Sequence, residues 1–134
     1  MFEMHQKVLF KHCDPAGIVF YPRYFEMMND CVETFFDQVL DEPFENLHGS
    51  GAVPTAQIRT KFTAPSRHGD HLILALSVTK VGRSSAEYRI IASCADQCRF
   101  ETTATLVNVD EGGKPTPWPD VLATKLRNFK DKTQ

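Results

Sequence analysis

A chain of 134 residues with a formal net charge of −2, 42% hydrophobic and 24% charged, can bury one core and is too hydrophobic to stay disordered. That balance gives no electrostatic reason to expect a nucleic-acid partner, and no apolar run approaches the length of a membrane span. Four cysteines without a dense framework, and an amino terminus without a signal-peptide pattern, suit a reducing, cytoplasmic setting and one domain over residues 1–134.

Residues 2–12 alternate, which predicts a strand with Met4, Val8 and Phe10 on one face and His5, Lys7, Leu9 and Lys11 on the other. Asp14-Pro15-Ala16-Gly17 then marks a turn: the residue before proline is pushed out of the helical region, and glycine adopts positive φ at little cost. A long helix is expected from about Pro22, tolerated in a first turn, to about Leu40, before Pro43. Its apolar stripe, Tyr24, Met28, Cys31, Phe35 and Val39, is widened by Phe25, Val32 and Phe36. The stripe is too broad for a helix resting on one surface.

Residues 41–51 read as a connection with one helical turn at Phe44–Leu47, closing at Gly49-Ser50-Gly51. From there the period becomes two. Val53–Phe62 is a mostly polar strand with Ile58 and Phe62 on one side, and Pro65–Asp70 is turn chemistry. Leu72, Leu74, Leu76 and Val78 alternate cleanly. After a turn at Gly82–Ser85, Ala86, Tyr88, Ile90, Ala92 and Cys94 share a face. Ala95-Asp96-Gln97 turns the chain into Cys98–Val109, and Glu111–Pro115 ends the sheet. Pro119–Phe129 is expected to close the chain as an amphipathic helix through Val121, Leu122, Lys125, Leu126 and Phe129. Short turns imply antiparallel pairing. A curved sheet wrapped around the long helix is the economical packing, and its uncovered edges suggest a dimer.

Asp14 is the first candidate for chemistry. A carboxylate at a strand-to-helix junction lies beside the positive end of the helix and its unpaired N–H groups. The N–H groups can polarise a carbonyl while the carboxylate attacks it or activates water. A thioester suits a single carboxylate, because its thiolate leaves without strong acid assistance. The plain alternative is that Asp14 only caps its own turn. A triad of His12, Cys13 and Asp14 is rejected, since adjacent residues on a strand point to opposite faces. Cys94 and Cys98 lack the second pair a zinc site needs, and His68 and His71 fit a solvated hairpin tip. Arg83-Ser84-Ser85 after Gly82 can hold a phosphate. Asn29 and Glu33 interrupt the helix stripe, and Lys61 and Arg67 can add positive charge.

The string DPAGIVFYPRYFEMMNDCVETFF, with TKFTAPSRHGDHLILALSVTKVGRSSAEYRI and the LVNVD before GGKP, resembles the hotdog-fold acyl-CoA thioesterases. Within them it resembles the 4-hydroxybenzoyl-CoA thioesterase family. The specific part is Asp14 to Val19 followed by Tyr21-Pro22. The resemblance implies an α+β hotdog fold, with about five antiparallel strands curved around one long central helix. It implies a homodimer that pairs into a homotetramer. It gives Asp14 the role of nucleophile or general base, and places carbonyl polarisation at Gly17 and the N–H of Tyr21. Arg83, Ser84 and Ser85 align with a turn near the nucleotide end of coenzyme A, which is part of the substrate. No metal or bound cofactor is implied. The acyl group leans aromatic, 4-hydroxybenzoyl or benzoyl, with Asn29 able to reach a ring substituent. The alternatives are a short-chain aliphatic acyl-CoA thioesterase, a non-catalytic acyl-CoA or acyl-carrier binding module and, last, a dehydratase, which would need a matched histidine.

Overall fold

Alternation in the second half of the chain becomes a sheet. In the computed structural model, which describes residues 1–47 and 51–132, the strands are β1 (Phe2–Lys7), β2 (Thr55–Phe62), β3 (His71–Val81), β4 (Ser85–Cys94) and β5 (Gln97–Val107). All neighbours are antiparallel, in the order β1-β3-β4-β5-β2. Successive side chains on a strand face opposite ways. One face therefore collects Leu72, Leu74, Leu76 and Val78 of β3, Ala86, Tyr88, Ile90 and Ala92 of β4, and Phe100, Ala104 and Leu106 of β5, all buried.

Among the described residues three α-helices accompany the sheet: α1 (Tyr21–Gln38), α2 (Phe44–Leu47) and α3 (Asp120–Lys132). Residue 20 is extended, and Pro22 sits in the first turn of α1, where a missing N–H costs no helical bond. The chain leaves α1 through Asp41 at φ 53°, with the Glu42 N–H returning to the Phe36 carbonyl. α1 buries Tyr24, Met27, Met28, Cys31, Val32, Phe35 and Phe36. Each large side chain so placed contributes about 1.5–3 kcal/mol. The Phe35 ring meets Phe129 of α3 with centroids 4.7 Å apart. Val32 and Phe35 of α1, Leu76 and Tyr88 of the sheet, and Leu126 of α3 bound one small internal gap.

The expectation of a single central helix therefore needs amending. α1 is the longest, but α3 shares the same face of the sheet, with Leu122, Ala123 and Leu126 buried. α1 also keeps a polar side, with Glu26, Asn29, Asp30, Glu33 and Asp37 exposed.

Other differences fall at element ends. β1 stops at Lys7, because Val8 leaves the strand ladder to exchange backbone bonds with the 69–70 turn (Val8 N–H to Asp70 O, Gly69 N–H to Val8 O). A 3₁₀ turn follows at Phe10–His12, so Phe10 projects outward at 81% exposure. Val39 caps α1 and Val121 begins α3, and both are exposed rather than on the buried stripes. The short helix at Phe44–Leu47 forms as expected. The expected closure at Gly49-Ser50 lies outside the described residues. Among the described residues no helix is long and apolar enough to cross a membrane.

Candidate active site

The turn at Asp14 is tightly bonded. The Gly17 N–H donates to the Asp14 carbonyl at 2.9 Å, and the Asp14 N–H donates to Ile18 O at 2.9 Å. Gly17 takes φ +80°, a conformation an L side chain adopts only with strain, although the space beside it is open. The Ala16 N–H donates to Asp14 Oδ1 at 2.9 Å, so the carboxylate does cap its own turn. Its second oxygen makes no hydrogen bond among the described residues, and the residue is half-buried rather than sealed away.

Bridges Cys13–Val19 and Ile18–Arg67, with the Phe20 N–H on His12 O at 2.9 Å, bring this turn directly onto the start of α1. Phe20 supplies no side-chain cap there. The N–H of Tyr21 finds no acceptor among the described residues. It is one of the four N–H groups that a helix start leaves over, at the positive end of the helix dipole. Asp14, Gly17 and Tyr21 thus gather at one place.

Next to it opens a cleft of about 600 Å³, lined by Ile18, Val19, Tyr21, Tyr24, Phe62, Thr63, Ala64 and Pro65. Its walls are mainly apolar and aromatic. Tyr24 stacks on Phe62 (5.7 Å) and tilts against Phe100 (4.9 Å). Burial pushes the Tyr24 phenol up from 10.0, against a smaller opposing pull from Ser66 beside it. A second cleft of about 580 Å³ lies along α1 and is lined by Lys11, His12, Arg23, Glu26, Asn29 and Asp30, among others. Asp14 belongs to neither wall: it stands on the turn between the segments that line the two.

Asn29 is eight residues beyond Tyr21, about 12 Å along the helix, and joins only the second cleft. Arg83, Ser84 and Ser85 lie farther still. Their turn follows β3, whereas the Asp14 turn bonds to residues 66–67, just before β3 begins. Eleven residues of β3 separate the two turns by roughly 36 Å at ~3.3 Å per residue. Within one chain, the proposed coenzyme turn and the carboxylate do not meet.

His12 is neutral by geometry: the Leu9 N–H donates to its Nδ1 at 2.9 Å, so Nδ1 carries no proton. Burial, with Lys11 adjacent, holds its pKa below 6.5. Cys31 is fully buried, which pushes its thiol up to about 12 and removes it as a nucleophile. Among the described residues no group of three or more His, Cys, Asp or Glu side chains is placed to hold a metal.

The sequence did not single out Tyr24, Ser66, Asp70 or Arg99 for the site. Tyr24 was legible only as one more member of the apolar stripe, and Ser66 and Asp70 only as turn residues. For Arg99 the available signal was a charge beside Phe100 on a strand whose neighbours alternate.

Residues 8–126 match the protein family described as the Thioesterase-like superfamily. The chain belongs to that superfamily. This thioesterase-like domain is consistent with a thioester hydrolase. No curated protein matches it. Solved structures share its fold at low identity. The 1,4-dihydroxy-2-naphthoyl-CoA thioesterase from Synechocystis is 21% identical, with 96% of each chain covered and a TM-score of 0.88. A gentisyl-coenzyme A thioesterase is 22% identical, covering 93% of this chain and 99% of its own, with a TM-score of 0.86. The dynemicin thioesterase is 15% identical, with 95% of each covered and a TM-score of 0.86.

Proposed function

We propose that this protein hydrolyses the thioester of a small aromatic acyl-CoA, of 4-hydroxybenzoyl or benzoyl type, to the free acid and coenzyme A. One observation carries the reading: the Tyr21 N–H, without an acceptor among the described residues, stands at an apolar, aromatic-walled cleft and is joined by backbone bonds to the Asp14 turn. The N–H and helix dipole can hold the carbonyl oxygen as it gains charge. Asp14 adds to the carbonyl carbon, or takes a proton from water that does so. The C–S bond then breaks and coenzyme A leaves as thiolate. Where Asp14 itself has added, water then cleaves the resulting acyl-aspartyl anhydride, which releases the acid and restores the carboxylate. The aromatic leaning draws support from the cleft walls and from two of the structural neighbours, which act on naphthoyl and gentisyl thioesters. An aliphatic short-chain acyl group is the alternative on the same scaffold.

A dimer, pairing again into a tetramer, belongs to this reading. β2 is an edge strand exposed along almost its whole length, and Phe20, Tyr21 and Phe62 around the cleft are exposed aromatics. A second copy would cover that edge.

The test is thiol release from benzoyl-, 4-hydroxybenzoyl- and butyryl-CoA. Asp14→Asn keeps the turn's shape and should lower turnover at least ~10²-fold. Wild-type turnover by a folded Asp14→Asn protein removes Asp14 from the mechanism. Tight binding of all three thioesters without thiol release makes the protein a binding module instead.

A further inference from the structure

Beneath the wall of the first cleft, β5 carries a bulge. Ala92 faces Phe100 and Ser93 faces Cys98, so Arg99 is an extra residue with no partner across the ladder. A bulge bends its strand and re-aims the side chain at that position. Here Arg99 turns into the protein, and its side chain is only 11% exposed. Nη1 donates to Asp70 Oδ2 at 2.7 Å, to Pro65 O at 3.1 Å and to Ser66 Oγ at 3.3 Å. From the main chain, the Arg99 carbonyl accepts the N–H groups of Thr63 (2.9 Å) and Ala64 (3.3 Å). One residue therefore fastens the loop 63–70 twice over.

That loop makes the site. Thr63, Ala64 and Pro65 line the cleft. The Ser66 carbonyl accepts the Val19 N–H at 2.8 Å, and Ile18, bridged to Arg67, accepts the Asp14 N–H at 2.9 Å. A continuous run of bonds thus leads from the guanidinium to the turn that carries the carboxylate. Asp70 completes the loop by accepting the Arg67 N–H at 3.0 Å. Two buried side-chain atoms lack a partner among the described residues, Arg99 Nε and the Tyr24 hydroxyl, and both residues adjoin Ser66. Unsatisfied buried groups are uncommon in folded proteins and gather where function overrides packing.

We propose that Arg99 is a positioning residue of this site: through the loop 63–70 it holds the cleft wall and the Asp14 turn in register with the start of α1. Its effect on rate rests on the hydrolase reading above, whereas its effect on the loop does not. A long cationic side chain suits the task, because its end nitrogen reaches a carboxylate, a carbonyl and a hydroxyl together.

The test uses the full-length protein. Arg99→Met keeps the bulk and removes every donor. Measured well below its melting temperature, where all molecules are folded, its kcat for the best thioester should fall ~10- to 10²-fold, as expected when reacting groups shift by about an ångström. KM should change less than kcat. Arg99→Lys restores the charge facing Asp70 on a shorter side chain, so it should recover part of the loss. Independently of activity, amide hydrogen exchange should quicken at Val19, Thr63 and Ala64 while Leu74 and Ile90, in the middle of the sheet, keep their protection. Asp70→Asn, which changes little in shape, should move the same amides in the same direction if Arg99→Met does not fold. Wild-type kcat and KM in folded Arg99→Met overturn the proposal, and so does loss of protection spread evenly over all amides. Should the wild-type protein release no thiol while these amides loosen in the variant, the hydrolase reading fails and the positioning role stands.

Discussion

Two turns marked in the sequence for chemistry, Asp14–Gly17 and Gly82–Ser85, are built in opposite ways. At Gly82–Ser85 the backbone carbonyls are consumed by structure. The Arg83 carbonyl accepts the Trp118 N–H at 2.9 Å, the Ser84 carbonyl accepts the Asn108 N–H at 2.7 Å, and the Ser85 carbonyl accepts from Trp118 Nε1 at 3.0 Å and from the Gly82 N–H at 2.8 Å. This turn anchors the segment leading to α3. The Asp14 turn is equally well bonded within itself, yet it delivers the chain to a helix start whose first N–H has no acceptor among the described residues, beside an apolar cleft. Both turns are tight, so tightness does not tell a site from a connection. What separates them is the apolar cleft: Tyr21 lines it, and none of residues 82–85 does.

Removing the left-over group is the severest way to break the contrast. Tyr21→Pro deletes the N–H at the first helical position, where proline is tolerated. It should lower kcat ~10²- to 10³-fold, as loss of one donor to a developing oxyanion does. Tyr21→Ala, which removes only the ring, is the control, and equal losses in the two variants would assign the effect to the ring instead.

At the other turn the expected effect is smaller and of a different kind. Arg83→Ala removes an exposed charge worth about 1 kcal/mol to a phosphate, or roughly fivefold in KM with kcat unchanged. Steady-state kinetics on the assembled protein decide it, and an unmoved KM would leave Arg83–Ser85 as an anchoring turn alone.

The smallest effect concerns the base of the Asp14 turn. His12 accepts the Leu9 N–H as a neutral ring, and burial holds its pKa below 6.5. In the unfolded chain the imidazole binds a proton as pH falls through 6.5, but the folded one does so only at lower pH. Its contribution to stability is therefore complete above 6.5 and declines as pH drops toward the folded value. Arg23, Glu26 and Asp30 of α1 and the adjacent Lys11 face the same ring and set how wide that window is. Melting temperature against pH should slope over this range in the wild type. The slope should flatten in His12→Asn, whose amide oxygen can accept the same N–H.

Much of this architecture could be read from the sequence because it is local. Leu72 to Val78 and Ala86 to Ala92 alternate in sequence and bury the same sides in the fold. The α1 stripe shows its 3.6 period before anything is known of its neighbours. Asp14, Gly17 and Tyr21 were legible together because the turn and the helix start follow within eight residues. Phe10, Val39 and Val121 were misplaced at element ends, where one residue of boundary decides which way a side chain points.

Sequence alone set the period of each element, the turn at Asp14 and the proline-led start of α1, since backbone sterics and hydrophobic spacing act between near neighbours. Tertiary structure alone decided that α3 joins α1 on the sheet. It also decided that Arg83 lies far from Asp14, and that a bulge turns Arg99 onto a loop some thirty residues earlier in the chain. Those outcomes depend on strand order and register, which arise from the packing of distant segments and leave no periodic trace in any one of them.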